Sequence, residues 1–170
     1  MIAVFLNNKL GSCDCVLPIL FEARRDQKKK NVEFYCFNKV TYDSIRSNLV
    51  MYDLINRIGS LVLMSDKPSG RISWLIQRGR TLALVARLAL LATLTHTTFI
   101  HFRALNEKPW RLLFLLNSNR TYLCQSSTTG FTEREEIVMA VQRQKPLKLV
   151  NISASHLIRL HESWKVPNHP

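Results

Sequence analysis

Met1-Ile2-Ala3-Val4-Phe5-Leu6-Asn7-Asn8-Lys9-Leu10-Gly11-Ser12 is the stretch whose reading decides the fold. Residues 2–6 are apolar without alternation and too few for a helix, the pattern of a strand buried on both faces of a parallel sheet. Asn7, Asn8 and Lys9 then break the run, and Gly11-Ser12 lead into a segment of helical character from about Asp14 to Lys29. Asp14 is expected to cap this helix, with Pro18 tolerated in its first turn. The basic run Gln27-Lys28-Lys29-Lys30 at its end complements the helix dipole. Strand, polar turn and helix together make one half of a βαβ unit.

The same unit recurs outward from this stretch. Val32-Glu33-Phe34-Tyr35-Cys36-Phe37 reads as a second strand, and Thr41 as the cap of a second helix. Tyr42, Ile45, Leu49, Tyr52 and Ile55 recur at steps of three and four, one apolar stripe. Gly59 is expected as a left-handed C-cap, before a third strand at Leu61–Met64. Pro68-Ser69-Gly70 opens a long helix, about Arg71 to Thr95, which Gly79 divides.

Thr98–Phe102 reads as a fourth strand, Trp110–Leu116 as a fifth and Arg120–Cys124 as a short sixth or a hairpin partner. Thr132 with Glu135 forms a capping box for a helix reaching about Gln144. Leu147–Ile152 is a further strand candidate, and His156–Trp164 a short helix. The expected fold is α/β: a three-layer Rossmann-like domain with a mainly parallel sheet, spanning residues 1–165, with a tail at 166–170.

The bulk chemistry bears on partners. Lys and Arg number 24 against 12 Asp and Glu, a net charge of +12 and a pI near 10.0. Such a field attracts polyanions without choosing among them. The basic residues are scattered and no recognised nucleic-acid motif appears, so nucleic acid is not an expected partner. Cys13, Cys15, Cys36 and Cys124 read as reduced, partly buried thiols of a cytoplasmic protein. Neither a secretory leader nor a metal-ligand pair is seen, and no cofactor is expected.

The Leu/Ala-rich run Thr81–Leu94 is shorter than the ~20 apolar residues that cross a bilayer. Packing on the sheet is the expectation. A membrane-surface patch with Arg71, Arg78, Arg80 and Arg87 meeting anionic head groups is the alternative. The placing of the Arg pairs on opposite helical faces argues against that patch.

In open α/β sheets ligands gather beyond the carboxyl ends of the strands. The loops expected there offer Asn8, Lys9, Gly11 and Ser12 after the first strand, Asn38 after the second, Asp66 after the third, and Arg103 after the fourth. Gly11 permits close backbone approach ahead of a helix start that favours an anion. Ser126, in a hydroxyl-rich loop, adds a candidate phosphate contact. His101 is either a base, with an ordinary pKa near ~6.5, or a hydrogen-bonded core residue. The sequence lacks Gly-x-Gly-x-x-Gly, a Walker loop, a Gly-x-Ser-x-Gly elbow and paired carboxylates. NAD binding, P-loop NTPase activity, α/β-hydrolase chemistry and glycoside hydrolysis are thereby disfavoured.

The opening strand, Asn8-Lys9-Leu10-Gly11 and the helix carrying Leu17-Pro18-Ile19-Leu20 resemble the amino-terminal half of GT-B-type transferases. The second unit is similar too, with Phe34-Tyr35-Cys36-Phe37-Asn38 followed by Asp43-Ser44-Ile45-Arg46-Ser47-Asn48. The likeness is to bacterial surface-polysaccharide glycosyltransferases and CDP-glycerol glycerophosphotransferases, over about residues 1–130.

This resemblance implies the acceptor-side domain of a glycosyl- or glycerophosphate-transferring enzyme. The nucleotide-activated donor would bind a second domain that this chain lacks. The implied location is cytoplasmic, at the inner face of the cell membrane. The alternative expectation is a basic, non-catalytic Rossmann-like module that binds a small anion or nucleic acid.

Overall fold

A computed structural model describes residues 1–6, 10–26, 31–64, 70–102, 108–125 and 132–148. The six strands are β1 (Ile2–Phe5), β2 (Val32–Cys36), β3 (Gly59–Leu63), β4 (Thr98–His101), β5 (Thr121–Gln125) and β6 (Lys145–Lys148). They form one sheet in the order β3-β2-β1-β4-β5-β6. Every pairing is parallel. The helices are α1 (Gly11–Asp26), α2 (Lys39–Ser47), α3 (Leu49–Ile58), α4 (Arg71–Thr95), α5 (Trp110–Leu116) and α6 (Glu133–Gln142). This is the three-layer Rossmann-like arrangement expected. The chain steps outward from β1 to β3, crosses back through α4, and steps outward again from β4 to β6. The order of the strands therefore reverses between β1 and β4.

Alternation along β1 divides the core. Val4 and Leu6 face one layer with Cys13, Val16, Leu17 and Leu20 of α1, Ile45 of α2 and Ile55 of α3. Ala3 and Phe5 face the other, with Leu88 of α4 and Trp110, Leu113 and Phe114 of α5. Because β1 is covered on both faces and paired on both edges, an unbroken apolar run is the only sequence that fits it.

Several local expectations are corrected. Trp110–Leu116 is helix, not strand. Trp110, Leu113 and Phe114 are buried while Leu112 and Leu116 point outward, the three- and four-residue spacing of a helix, which an unbroken apolar run conceals because it suits a buried strand as well. A helix there also supplies the crossover that keeps β4 and β5 parallel. α1 begins at Gly11, with the Leu10 carbonyl accepting from Cys13 N and Asp14 N at 2.8 and 3.2 Å. Asp14 thus lies inside the first turn rather than at the cap. Pro18 stands beyond that turn, where it removes the N–H that would bond the Asp14 carbonyl.

Asn38, not Thr41, caps α2; its Oδ1 accepts from Val40 N at 2.7 Å. The stripe from Tyr42 to Ile55 is divided between two helices at Asn48. The Asn48 N–H closes α2 on the carbonyls of Ser44 and Ile45, while its Oδ1 accepts from Met51 N at 3.1 Å to open α3. Gly79 leaves α4 undivided. β6 starts at Lys145, earlier than expected. Residues 149–152, the 156–164 helix and the tail lie outside the described residues.

Gly59 is extended (φ 178°) and begins β3, so it is no left-handed cap. Its role is steric: a Cβ there would fall 1.7 Å from the Val32 carbonyl oxygen. Gly59→Ala is expected to cost at least about 3 kcal/mol of unfolding free energy, read by urea denaturation. A change within ~0.5 kcal/mol, the range of ordinary surface substitutions, would contradict this close approach of β3 to β2.

Candidate functional site

α4 has 25 residues, about 38 Å at the usual rise per residue. The strands it crosses have four or five residues, about 17 Å at most. A crossover helix runs opposite to the strands, so its amino-terminal half stands beyond the carboxyl edge of the sheet. Accordingly Leu88, in the second half, is its one fully buried residue.

The inner side of the overhang forms a cleft of about 540 Å³ with Phe37 and Met64, which follow β2 and β3, and Lys108, Pro109 and Trp110 at the start of α5. α4 contributes Trp74, Gln77, Arg78, Thr81 and Leu82, spaced at three and four so that one helical face lines the cavity.

The chemistry of this cleft is aromatic and cationic. The Trp110 ring is buried and meets Phe37 edge-on at 5.7 Å. Trp74 is 46% exposed, and the Arg78 guanidinium lies 5.0 Å from its ring centroid. Such stacking leaves the guanidinium edge available for an anion while fixing its plane. No described carboxylate pairs with Arg78 or Lys108. Among the described residues no Asp, Glu, His or Cys lines the cavity. An anion with a flat or ring-shaped apolar part fits this lining, with the apolar face on Trp74 and Trp110 and the charge on Arg78 and Lys108.

The sequence-predicted positions fare variously. Gly11 and Ser12 form the start of α1, directly after the β1 turn. Asn38 stands at the carboxyl edge beside Phe37, its side chain committed to the α2 cap. Asn8, Lys9, Asp66, Arg103 and Ser126 lie outside the described residues. His101 is fully buried, stacked on Phe114 with centroids 4.7 Å apart. Its Nε2 meets Gln144 Oε1 at 2.8 Å, and Gln144 Nε2 donates onward to Gln142 Oε1. This is the hydrogen-bonded core residue of the two expectations for His101. Among the described residues no group of His, Cys, Asp and Glu is placed to hold a metal ion.

Sequence reasoning does not bring Trp74, Arg78 and Trp110 together: it places Trp110 on a strand and Arg78 only in a surface patch, and passes over Trp74. The signal was present in the i, i+4 pair Trp74–Arg78 and in Pro109 ahead of an apolar run.

Arg87 is fixed elsewhere. Its Nη2 and Nη1 donate to Glu33 Oε1 and Oε2 at 2.6 and 3.1 Å, and Tyr35 Oη donates to Glu33 as well. Only 15% of the Glu33 side chain is exposed. The hydrogen bond to Glu33 holds Arg87 above the ordinary guanidinium pKa. Burial, then the Glu33 contact, raises the Tyr35 phenol. Removing the cation leaves a half-desolvated carboxylate. Arg87→Ala is therefore expected to lose about 1–3 kcal/mol, measured by urea unfolding, and a neutral result would show that the tether is idle.

All four cysteines are buried and free. Burial lifts Cys13, Cys36 and Cys124 from an ordinary 9.0 up to about 12. Cys15 is raised too, first by burial and then by Asp14. A thiol whose pKa is higher in the fold keeps its proton longer there. Its contribution is whole below the unfolded pKa and is lost as pH rises to the folded one. Unfolding free energy should thus fall between about pH 9 and 12. Ellman's reagent should react slowly with the native protein and promptly after denaturation. Fast native labelling, or stability rising over that interval, would contradict buried neutral thiols.

No known family, curated protein or solved structure matches this chain.

Proposed function

We propose that this domain holds a phosphate-bearing acceptor in the α4–α5 cleft, serving as the acceptor side of a glycosyl or glycerophosphate transfer. The observation that carries the reading is the cleft lining. Two cations without a carboxylate partner among the described residues stand beside two tryptophans and a phenylalanine at the carboxyl edge of a parallel sheet, the edge where such folds receive ligands. The more specific role rests on the resemblance of the first two strand–helix units of the sequence to GT-B-type transferases. In this reading the domain works in the cytoplasm, a separate domain presents the nucleotide-activated donor, and His101 takes no part.

The described lining, cationic and aromatic without Asp, Glu, His or Cys, favours a second reading. The domain then binds the anion without catalysing its transfer, because the described lining offers no carboxylate, imidazole or thiol as a general base.

Tryptophan fluorescence titrated with sugar phosphates, nucleoside diphosphates and their uncharged parents tests the first claim. Phosphorylated ligands should bind at least about tenfold more tightly than the parents, and Arg78→Gln with Lys108→Gln should weaken them by about tenfold or more. Equal affinity for the parents, or an unchanged double variant, would remove the cleft as an anion site. Binding without transfer, when the donor and a donor-binding domain are supplied, would favour the non-catalytic reading.

A further inference from the structure

The outer side of α4 raises a question the cleft does not answer. At about 100° per residue, Ile72, Leu75, Ile76, Leu82, Leu90 and Leu94 fall on one arc about 120° wide, opposite the buried Leu88. All six are exposed, Ile72, Leu75 and Ile76 at 76%, 60% and 53%. Gly79, Ala83 and Ala86 lie between them on the same arc and are exposed too. The helix carries four arginines and no carboxylate. Arg71 and Arg78 border the arc on one side, and Arg80 and Arg87 on the other. The Arg pairs do stand on opposite sides of the helix, as the sequence indicates. What separates them is an uncovered apolar stripe, so their placement argues for a surface patch rather than against it.

We propose that the outer face of α4 docks on an anionic lipid surface. Its apolar arc would sink into the interface, while Arg71 and Arg80, one on each border, reach outward to phosphate head groups. Charge complementarity selects this occupant. Two copies of the stripe placed together would oppose arginine to arginine with no acid on either helix, a repulsive pairing. An anionic bilayer supplies both an apolar layer for the arc and the opposite charge along its borders. The helix lies on the membrane rather than through it, since among the described residues no helix is long and apolar enough to cross. The inference rests on the side of α4 turned away from the cleft; of the residues named, only Arg78 and Leu82, at the border of the arc, also line the cavity.

Sedimentation of the full chain with phosphatidylcholine vesicles, with and without phosphatidylglycerol, tests it. The protein should bind the anionic vesicles, bind the neutral ones at least about tenfold less, and lose binding as salt rises. The triple variant Ile72→Ser, Leu75→Ser, Ile76→Ser should bind about tenfold less, and Arg71→Gln with Arg80→Gln should weaken binding by about fivefold per charge. These positions are exposed, so matched circular dichroism and melting temperature will show that the fold is kept. The proposal is overturned by three results: no binding to the anionic vesicles, wild-type binding by the triple variant, or a wild-type dimer that the triple variant disperses.

Discussion

The parallel pairing of β1 with β2 on one side and β4 on the other is the constraint on which this domain depends. Val4 lies opposite Phe34 and Ile100 at once. That position leaves β1 no solvent edge and no solvent face, so each of its side chains must be apolar or small. Phe5 meets this demand most fully. It stacks on Tyr35 at 5.1 Å and meets Trp110 and Phe114 edge-on, each at 5.5 Å. One side chain therefore ties β1 and β2 to α5. Aromatic pairs of this geometry add roughly 0.5–1.5 kcal/mol each beyond the area they bury. The same contact fixes Trp110, so the wall of the cleft is set by the core.

The second consequence of this topology is the overhang of α4. To bring the chain from β3 to β4, a helix must cross the sheet, and this one is about twice as long as the strands it crosses. Its carboxyl half is held down by Leu88 and by the Arg87–Glu33 pair. Its amino half stands clear of the sheet, with one side facing a basic aromatic cleft and the other a bare apolar arc. Both candidate functions of the molecule thus arise from one excess of helix length.

Much of the fold was legible in the sequence because the strongest signals were local. The apolar runs at residues 2–6, 32–37, 61–64 and 98–102 contain few polar residues, and a parallel buried sheet follows from that. The capping box at Thr132 and Glu135 was equally direct, and the structure shows it in place. Trp110–Leu116 was not legible, because seven apolar residues satisfy a strand or a helix and only the neighbouring topology decides between them. Gly59 was misread for a related reason: its need for a missing Cβ arises from Val32, distant in sequence. The cleft stayed hidden because its lining joins residues from four separate segments. Asn38 illustrates a further limit, since a polar residue in the right loop can be consumed by a helix cap.

The most direct measurement is a set of cross-strand amide contacts recorded by nuclear magnetic resonance on the labelled protein. The account predicts that Val4 shows contacts to the Phe34 segment and to the Ile100 segment together, in the evenly spaced pattern of parallel strands. Contacts to only one of the two, or the close paired contacts of antiparallel neighbours, would contradict it.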